Sequence, residues 1–223
     1  MVIRPLFKIT IMNSDKCRLC GFSGFTLVCK DKRRAFYICG NCELISVPKR
    51  YWLSVDDERK RYDLHDNSIS NAGYVKFLSQ MAGEVQKFSG NKTKVFDFGS
   101  GREAALCRLL SKKNINCCAY DPLFDRPLLD SASCFDIIVL CEVIEHLRDI
   151  KGELEFIDKH LVNGGKVILR TQIYGELSKF GGWWYGQDVT HINFFNEKSL
   201  RTVAGLLNKN LKKTAYPDIF LFE

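Results

Sequence analysis

No apolar run among the 223 residues approaches the roughly 20 that a membrane-spanning helix needs. A secretory signal is not expected either. The segment from Met1 to Met12 is short, and Arg4 and Lys8 break its apolar part. Ten cysteines without an export signal then predict a reducing, cytoplasmic compartment and argue against a disulfide framework. Residues 1–15 read as a tail, with Met12 as an alternative start. What is present is an ordinary globular composition, 46% apolar and 26% charged. The length suits one domain plus a small accessory unit.

The net charge of +7 is uneven. Residues 1–90 hold 15 Lys and Arg against 9 Asp and Glu, while residues 91–223 hold 18 against 17. The excess lies in Lys30-Asp31-Lys32-Arg33-Arg34 and Arg59-Lys60-Arg61. Such a face attracts RNA or an acidic partner, or is simply solvated.

Four cysteines form two CxxC pairs, Cys17/Cys20 and Cys39/Cys42, separated by 18 residues. That spacing matches a four-thiolate zinc site, and with all four positions filled by sulfur the metal is structural. Gly21 and Gly40 stand where the turn after a ligand favours positive φ. Residues 25–29 and 34–38 read as two short strands around a polar turn, so residues 16–48 are expected to form a zinc ribbon whose folding depends on the metal. The remaining cysteines, Cys107, Cys117, Cys118, Cys134 and Cys141 among them, sit in or beside apolar segments, as small core residues do.

Residues 49–90 read as a helical connector. Ser54 caps a first helix with acids in its opening turn. Tyr74, Phe77, Leu78, Met81, Val85 and Phe88 then recur at helical spacing, one face for packing on the next unit. Between them, Tyr62 and His65 either reach over a ligand or lie solvated on the surface.

The densest signal is Val95-Phe96-Asp97-Phe98-Gly99-Ser100-Gly101, followed at once by a helical stretch from Ala104. A buried strand delivers a carboxylate to its C-terminal edge, and a glycine turn lets backbone approach a ligand. Gly99, Gly101 and Ala104 also fit a dinucleotide fingerprint with Asp121 as its ribose acid. Against that reading, Asp97 places negative charge where a pyrophosphate would come, whereas it suits a ligand carrying an ammonium group. A second apolar strand then ends in Cys141-Glu142-Val143-Ile144-Glu145-His146.

These motifs resemble class I S-adenosylmethionine-dependent methyltransferases. Asp97 to Gly101 is similar to their first motif, Ala119-Tyr120-Asp121 to the end of their second strand, and Glu142 to His146 to the motif after their fourth. Residues 163–169 are similar to their fifth strand and its turn. A four-Cys ribbon, a Tyr-x-x-His-x-Asn tract and a late segment like Trp183 to Phe195 extend the likeness to a bacterial group of these enzymes.

The resemblance implies a Rossmann-like α/β sheet with helices on both faces over residues 91–223, preceded by the ribbon. It implies S-adenosylmethionine held by Asp97, Gly99, Ser100, Gly101, Asp121, Pro122, Cys141, Glu142, Val143 and His146. Tyr62, His65, Trp183, Trp184 and Tyr185 would bound the acceptor, with His191 as general base and Asp188 as its orienter. His160 reads as an exposed helix residue. One departure is Glu103, where these enzymes usually carry a third glycine; its carboxylate is expected to point outward. The function implied is methyl transfer to a small or medium-sized metabolite, with no membrane partner. Two alternatives stay open: an RNA- or ribosome-directed methyltransferase docking through the basic N-terminal third, and a non-catalytic zinc-dependent binding module.

Overall fold

Two sheets share one chain in the computed structural model, which describes residues 16–64, 66–124 and 133–223. The larger carries six strands: β4 (Lys94–Phe98), β5 (Asn116–Tyr120), β6 (Phe135–Cys141), β7 (Leu161–Arg170), β9 (Leu211–Lys213) and β10 (Ile219–Phe222). Their order across the sheet is β5-β4-β6-β7-β10-β9. The four central and first-edge strands run parallel, and β10 lies antiparallel between β7 and β9. The expected α/β sheet is thus present.

Alternation along each strand explains why both faces are covered. Val95, Ile137, Val139, Ile168, Ile219 and Leu221 point to one side, where they meet α2 (Ala72–Lys87) and α3 (Ala105–Ser111). Phe96, Phe98, Ile138, Leu140, Val167, Leu169, Phe220 and Phe222 point to the other. There they meet α4 (Ile150–Lys159) and α5 (Glu197–Leu206). Strands buried on both faces read as continuous apolar runs, which is why these segments stand out in the sequence.

The smaller sheet contains β1 (Phe25–Lys30), β2 (Ala35–Cys39), β3 (Ile45–Ser46) and β8 (Asn193–Phe194), in that order and antiparallel throughout. Its fourth strand comes from 150 residues later in the chain, so the four-Cys unit closes its sheet on the larger one's connecting segment. Behind it Phe36, Ile45, Val47, Tyr174, Phe180, Ile192 and Phe194 form an apolar cluster. Short α1 (Val55–Tyr62) follows, capped by Ser54, which accepts from the Asp57 N–H. Asn71 and Asn196 cap α2 and α5, the latter in a reciprocal box with Ser199.

Several expectations need correction. Cys107 in α3 and Cys117 in β5 are joined by a disulfide, because the helix packs back along the strand that follows it. Gly21 takes φ +76, but the second turn places its left-handed residue at Glu43 (φ 61) rather than Gly40. Glu43 is held there by Tyr174 Oη donating to its carbonyl and by Asn196 and Lys198 on its carboxylate. His160 is buried, its Nδ1 bonded to the Phe156 carbonyl at the end of α4. Phe88 lies at the exposed end of α2. No helix among the described residues is long and apolar enough to cross a membrane.

One side chain fastens the two sheets. Asn193, fully buried, directs its Nδ2 to the carbonyls of Ile144, Glu145 and Leu147 at 3.3, 3.4 and 2.8 Å. Replacing it with Ala takes the donor from the Leu147 carbonyl, while the Glu145 and Ile144 carbonyls keep the Ile192 and Leu147 N–H groups (2.9 and 3.4 Å); a buried unsatisfied group costs about 1–3 kcal/mol. Asn193→Ala is expected to lower stability by about 1–3 kcal/mol in urea denaturation. A change below about 0.5 kcal/mol would show that the Leu147 carbonyl finds another donor.

Candidate functional site

The four cysteines converge. Their sulfurs all lie within 4.8 Å of one another, with Cys17 to Cys42 and Cys20 to Cys39 each at 3.6 Å. Zinc–sulfur bonds of about 2.3 Å in a tetrahedron place sulfurs roughly 3.8 Å apart, so the cage has the size a zinc ion takes. Hydrogen bonds from the Cys42 thiol, and from the Leu19 and Cys20 N–H groups, pull the Cys17 thiol down to about 5. Burial instead pushes Cys39 up to about 11. One thiolate among crowded thiols is the state a bound cation would extend to all four.

The second site lies at the C-terminal edge of the large sheet. After β4 the chain turns at Gly99 and Gly101, with φ of +79 and +68. The Gly99 and Ser100 N–H groups donate to the Tyr120 carbonyl at the end of β5 (2.8 and 3.0 Å). A Cβ on Gly99 would stand 2.5 Å from Val143 Cγ2, so only glycine lets these two strand ends approach. At Gly101 a Cβ would meet nothing, leaving that side of the turn open.

Asp97 is 2% exposed and its Oδ2 has no hydrogen-bond partner. Burial, with the neighbouring Asp121 carboxylate adding to it, raises its carboxyl to about 7. Asp121 accepts from the Gly101 N–H (2.8 Å) and the Leu123 N–H (2.9 Å), which fixes it at the strand edge, with Pro122 exposed beyond it. Cys141, at the end of β6, is a thiol driven well above its ordinary value by burial. Glu103 turns away from the cleft, its Oε2 3.5 Å from Arg108 Nη1.

Beside this cradle stands a cluster of acids, tyrosines and imidazoles. Glu142 adopts φ 57, and its Oε1 is buried without a partner. Glu145 is fully buried and accepts from Tyr185 Oη and from Thr171 Oγ1 (3.2 Å). Tyr185 Oη also reaches Glu142 Oε2 at 3.0 Å. Burial raises both carboxyls above their ordinary range, that of Glu145 further.

His146 lies in a 3₁₀ turn (Ile144–His146) between β6 and α4. Its Nδ1 faces the Thr190 carbonyl at 3.1 Å, and His191 Nδ1 faces the Tyr185 carbonyl at 2.9 Å. A carbonyl only accepts, so both rings carry a proton on Nδ1. The imidazole centroids are 4.7 Å apart. Glu145, His146 and His191 bring their ligand-type atoms within 4.8 Å of one another.

The proposed acceptor residues divide. Tyr62 places its ring 5.4 Å from His146, edge to face, and donates to Glu58 at 3.2 Å. Tyr185 is inside the cluster, Trp183 packs between Phe180 and Tyr185, and Trp184 is 67% exposed. His65 lies outside the described residues. Asp188 accepts from the His191 backbone N–H at its carbonyl (3.3 Å), and its carboxylate turns to Thr190. Burial acts against its charge, but the Thr190 N–H and hydroxyl hold its carboxyl below the ordinary value (2.9 and 2.7 Å).

Residues 72–208 match the family described as Methyltransferase domain. The chain belongs to that family. No curated protein matches it. Among solved structures it is similar to magnesium protoporphyrin IX methyltransferase from Synechocystis PCC 6803 with bound SAH (13% identity, TM-score 0.49, 78% of this chain and 95% of that one). It is also similar to the N-methyltransferase NodS from Bradyrhizobium japonicum WM9 in complex with SAH (16%, 0.44, 75% and 96%). A third is coclaurine N-methyltransferase bound to N-methylheliamine and SAH (19%, 0.36). There the match covers 48% of this chain and 38% of the other, so the chain spans well under half of that relative.

Three residues central to the geometry were not singled out from sequence: Glu145, Thr171 and Arg34. Glu145 had a signal, a second acid three residues after Glu142 in a motif already read. Thr171 and Arg34 had none, since a lone Thr after a strand and one Arg in a basic tract look ordinary. The close approach at Gly99 gives the sharpest test of the cradle. Gly99→Ala combines a clash with a left-handed φ and is expected to cost about 1–3 kcal/mol, read as a fall in melting temperature. Gly101→Ala, with open space around it, should cost the smaller, purely conformational share. Equal effects at both would mean that Val143 yields freely.

Proposed function

We propose that this protein transfers a methyl group from S-adenosylmethionine to a small or medium-sized metabolite, with a structural zinc ion in the four-Cys cage. The observation that carries the reading is Asp97: a buried carboxylate with an orphan oxygen, beside a turn that only glycine can make. Such a group is matched by a ligand amine, which would restore the charge that burial suppresses. When bound, the cofactor supplies an activated methyl group on a sulfonium centre. Asp97 would hold its amine, the Gly99 to Gly101 backbone would lie along it, and Asp121 and Glu142 would face its ribose and adenine side.

The residues next to this cradle would prepare the acceptor. Tyr62 and Tyr185 bound it, Trp184 stands at the rim, and Trp183 braces Tyr185 from behind. With its proton fixed on Nδ1, His191 offers the lone pair of Nε2 to an acceptor hydroxyl or amine proton. Glu145, buried beside both imidazoles, has a carboxyl that burial holds toward its neutral form, and it ionises more readily once a neighbouring ring gains positive charge. Asp188 acts on His191 through its loop, as a positioning residue. Glu103, directed at Arg108, does not fill the cleft, which favours an enzyme over a non-catalytic module. Arg34, buried rather than on the surface, is lost to any RNA-binding face.

Two outcomes follow. The Asp97 carboxyl, raised to about 7 in the free protein, binds a cation only when ionised. Affinity for S-adenosylhomocysteine, measured by calorimetry, should therefore rise about tenfold from pH 6 to pH 8 and level off above. Asp97→Asn should bind weakly and without that slope; a wild-type-like isotherm from this variant would remove Asp97 from the site. Separately, incubation with a metabolite extract and S-adenosylmethionine should yield a product heavier by one methyl group. His191→Ala should slow that reaction at least a hundredfold while binding the cofactor normally, and an undiminished rate would move the base elsewhere.

A further inference from the structure

Arg34 stands one residue before β2, whose last residue is the cage ligand Cys39. Its side chain is 4% exposed and points away from the rest of the basic tract. Nη1 donates to the carbonyls of Val189 (3.2 Å) and His191 (2.7 Å), and Nη2 to those of Gly186 and Asp188 (both 2.6 Å). The four N–H groups of the fork thus meet four carbonyls from one six-residue stretch. The guanidinium also lies over the Phe36 ring, 4.9 Å from its centroid.

A second arginine continues the pattern. Arg18, between the first two cage cysteines, donates through Nη2 to Val47 and Ile192 carbonyls (3.1 and 3.0 Å) and stacks on Trp52. Residues 186–192 contain no helix or strand beyond the end of a short 3₁₀ turn (Trp184–Gln187). Carbonyls in such a segment lack ladder partners, so their direction is set by whichever donors reach them. Here the four-Cys unit supplies donors to the carbonyls of Gly186, Asp188, Val189, His191 and Ile192, while His146 Nδ1 serves that of Thr190.

We propose that Arg34 is a positioning residue for His191, transmitting the order of the cage to the segment that aims its imidazole. The route is short. The cage fixes β2, β2 fixes Arg34, Arg34 fixes the carbonyls of Gly186, Asp188 and His191, and the neighbouring Tyr185 carbonyl receives His191 Nδ1. A planar fork with paired donors serves this purpose, and a Lys ammonium with three donors on one atom does not. The inference deepens the reading of His191 as base, but its test needs neither an acceptor nor turnover.

The test is nitrogen NMR of the histidine rings, of which the chain has four. In zinc-loaded wild type, His191 should hold the Nδ1–H tautomer. In Arg34→Met, with zinc still at one ion per chain, the His191 ring should exchange between its two tautomers. Affinity for S-adenosylhomocysteine should change less than twofold, and His160, bonded at the far end of α4, should not move. Arg34→Lys should restore the wild-type signature only in part.

A folded, zinc-loaded Arg34→Met with the wild-type His191 signature overturns the proposal. Should that variant not fold, amide exchange in wild type decides. Chelating the zinc should speed exchange across residues 186–192 while β4 and β6 stay protected, and unchanged exchange there overturns it equally. A His191→Ala chain that still transfers methyl groups would remove the base and leave this coupling standing.

Discussion

Asp97 sets the terms for everything at the sheet edge. Placing a carboxylate at the buried end of a parallel strand costs free energy, and no cation among the described residues offsets it: the group shifts to about 7 instead. The rest of the edge is shaped around that unresolved charge. Gly99 and Gly101 remove side chains from its path, and Val143 closes one side by packing where a Cβ would be. Asp121 is spent on the Gly101 amide and so holds the turn open toward Asp97 rather than collapsing on it. On the reading proposed above, a ligand amine completes this site.

The four-Cys unit is tied into this arrangement at several points. Its sheet ends on residues 193–194, its Glu43 caps into α5 through Asn196 and Lys198, and its Arg18 and Arg34 fill with donors a segment otherwise short of them. Small metal-nucleated units have little core of their own. Here that unit gains its core by sharing it: Cys17, Leu19, Cys39, Cys42 and Leu44 belong to the same apolar cluster as the sheet residues Phe96 and Phe98. Order in the cage and order beside His191 are thus parts of one packing problem.

What could be read from sequence follows from how local each signal is. The strands β4, β6 and β7 were legible because burial on both faces makes unbroken apolar runs, and the Ser54 cap because capping acts over three residues. The cage was legible because CxxC is a local turn. By contrast, Asn193, Arg34 and the disulfide between Cys107 and Cys117 act between segments whose meeting the linear pattern does not state. The left-handed Glu43 went unseen for the same reason: what holds it, Tyr174 and α5, lies more than 130 residues away. Tyr185 read as an aromatic wall, yet its hydroxyl bridges Glu142 and Glu145, a role visible only once the 3₁₀ turn after β6 is placed.

Two of the left-handed residues lie where the chemistry is proposed. Glu142 and Ala104 take positive φ without being glycine, and both border the turn of Gly99 and Gly101. A left-handed residue with a Cβ costs about 1–2 kcal/mol, so the surrounding contacts must over-determine it. At Glu142 those contacts are its N–H bonded to the Arg170 carbonyl and its carboxylate held by Tyr185. Arg170 is itself pinned by Asp218, Gln80 and the Phe77 carbonyl. The strain at Glu142 is therefore supported from β7, from α2 and from Asp218 just before β10, on the opposite side from the glycine turn. That division leaves the buried Oε1 without a partner while the backbone stays fixed, which is what the proposed ligand contact would use.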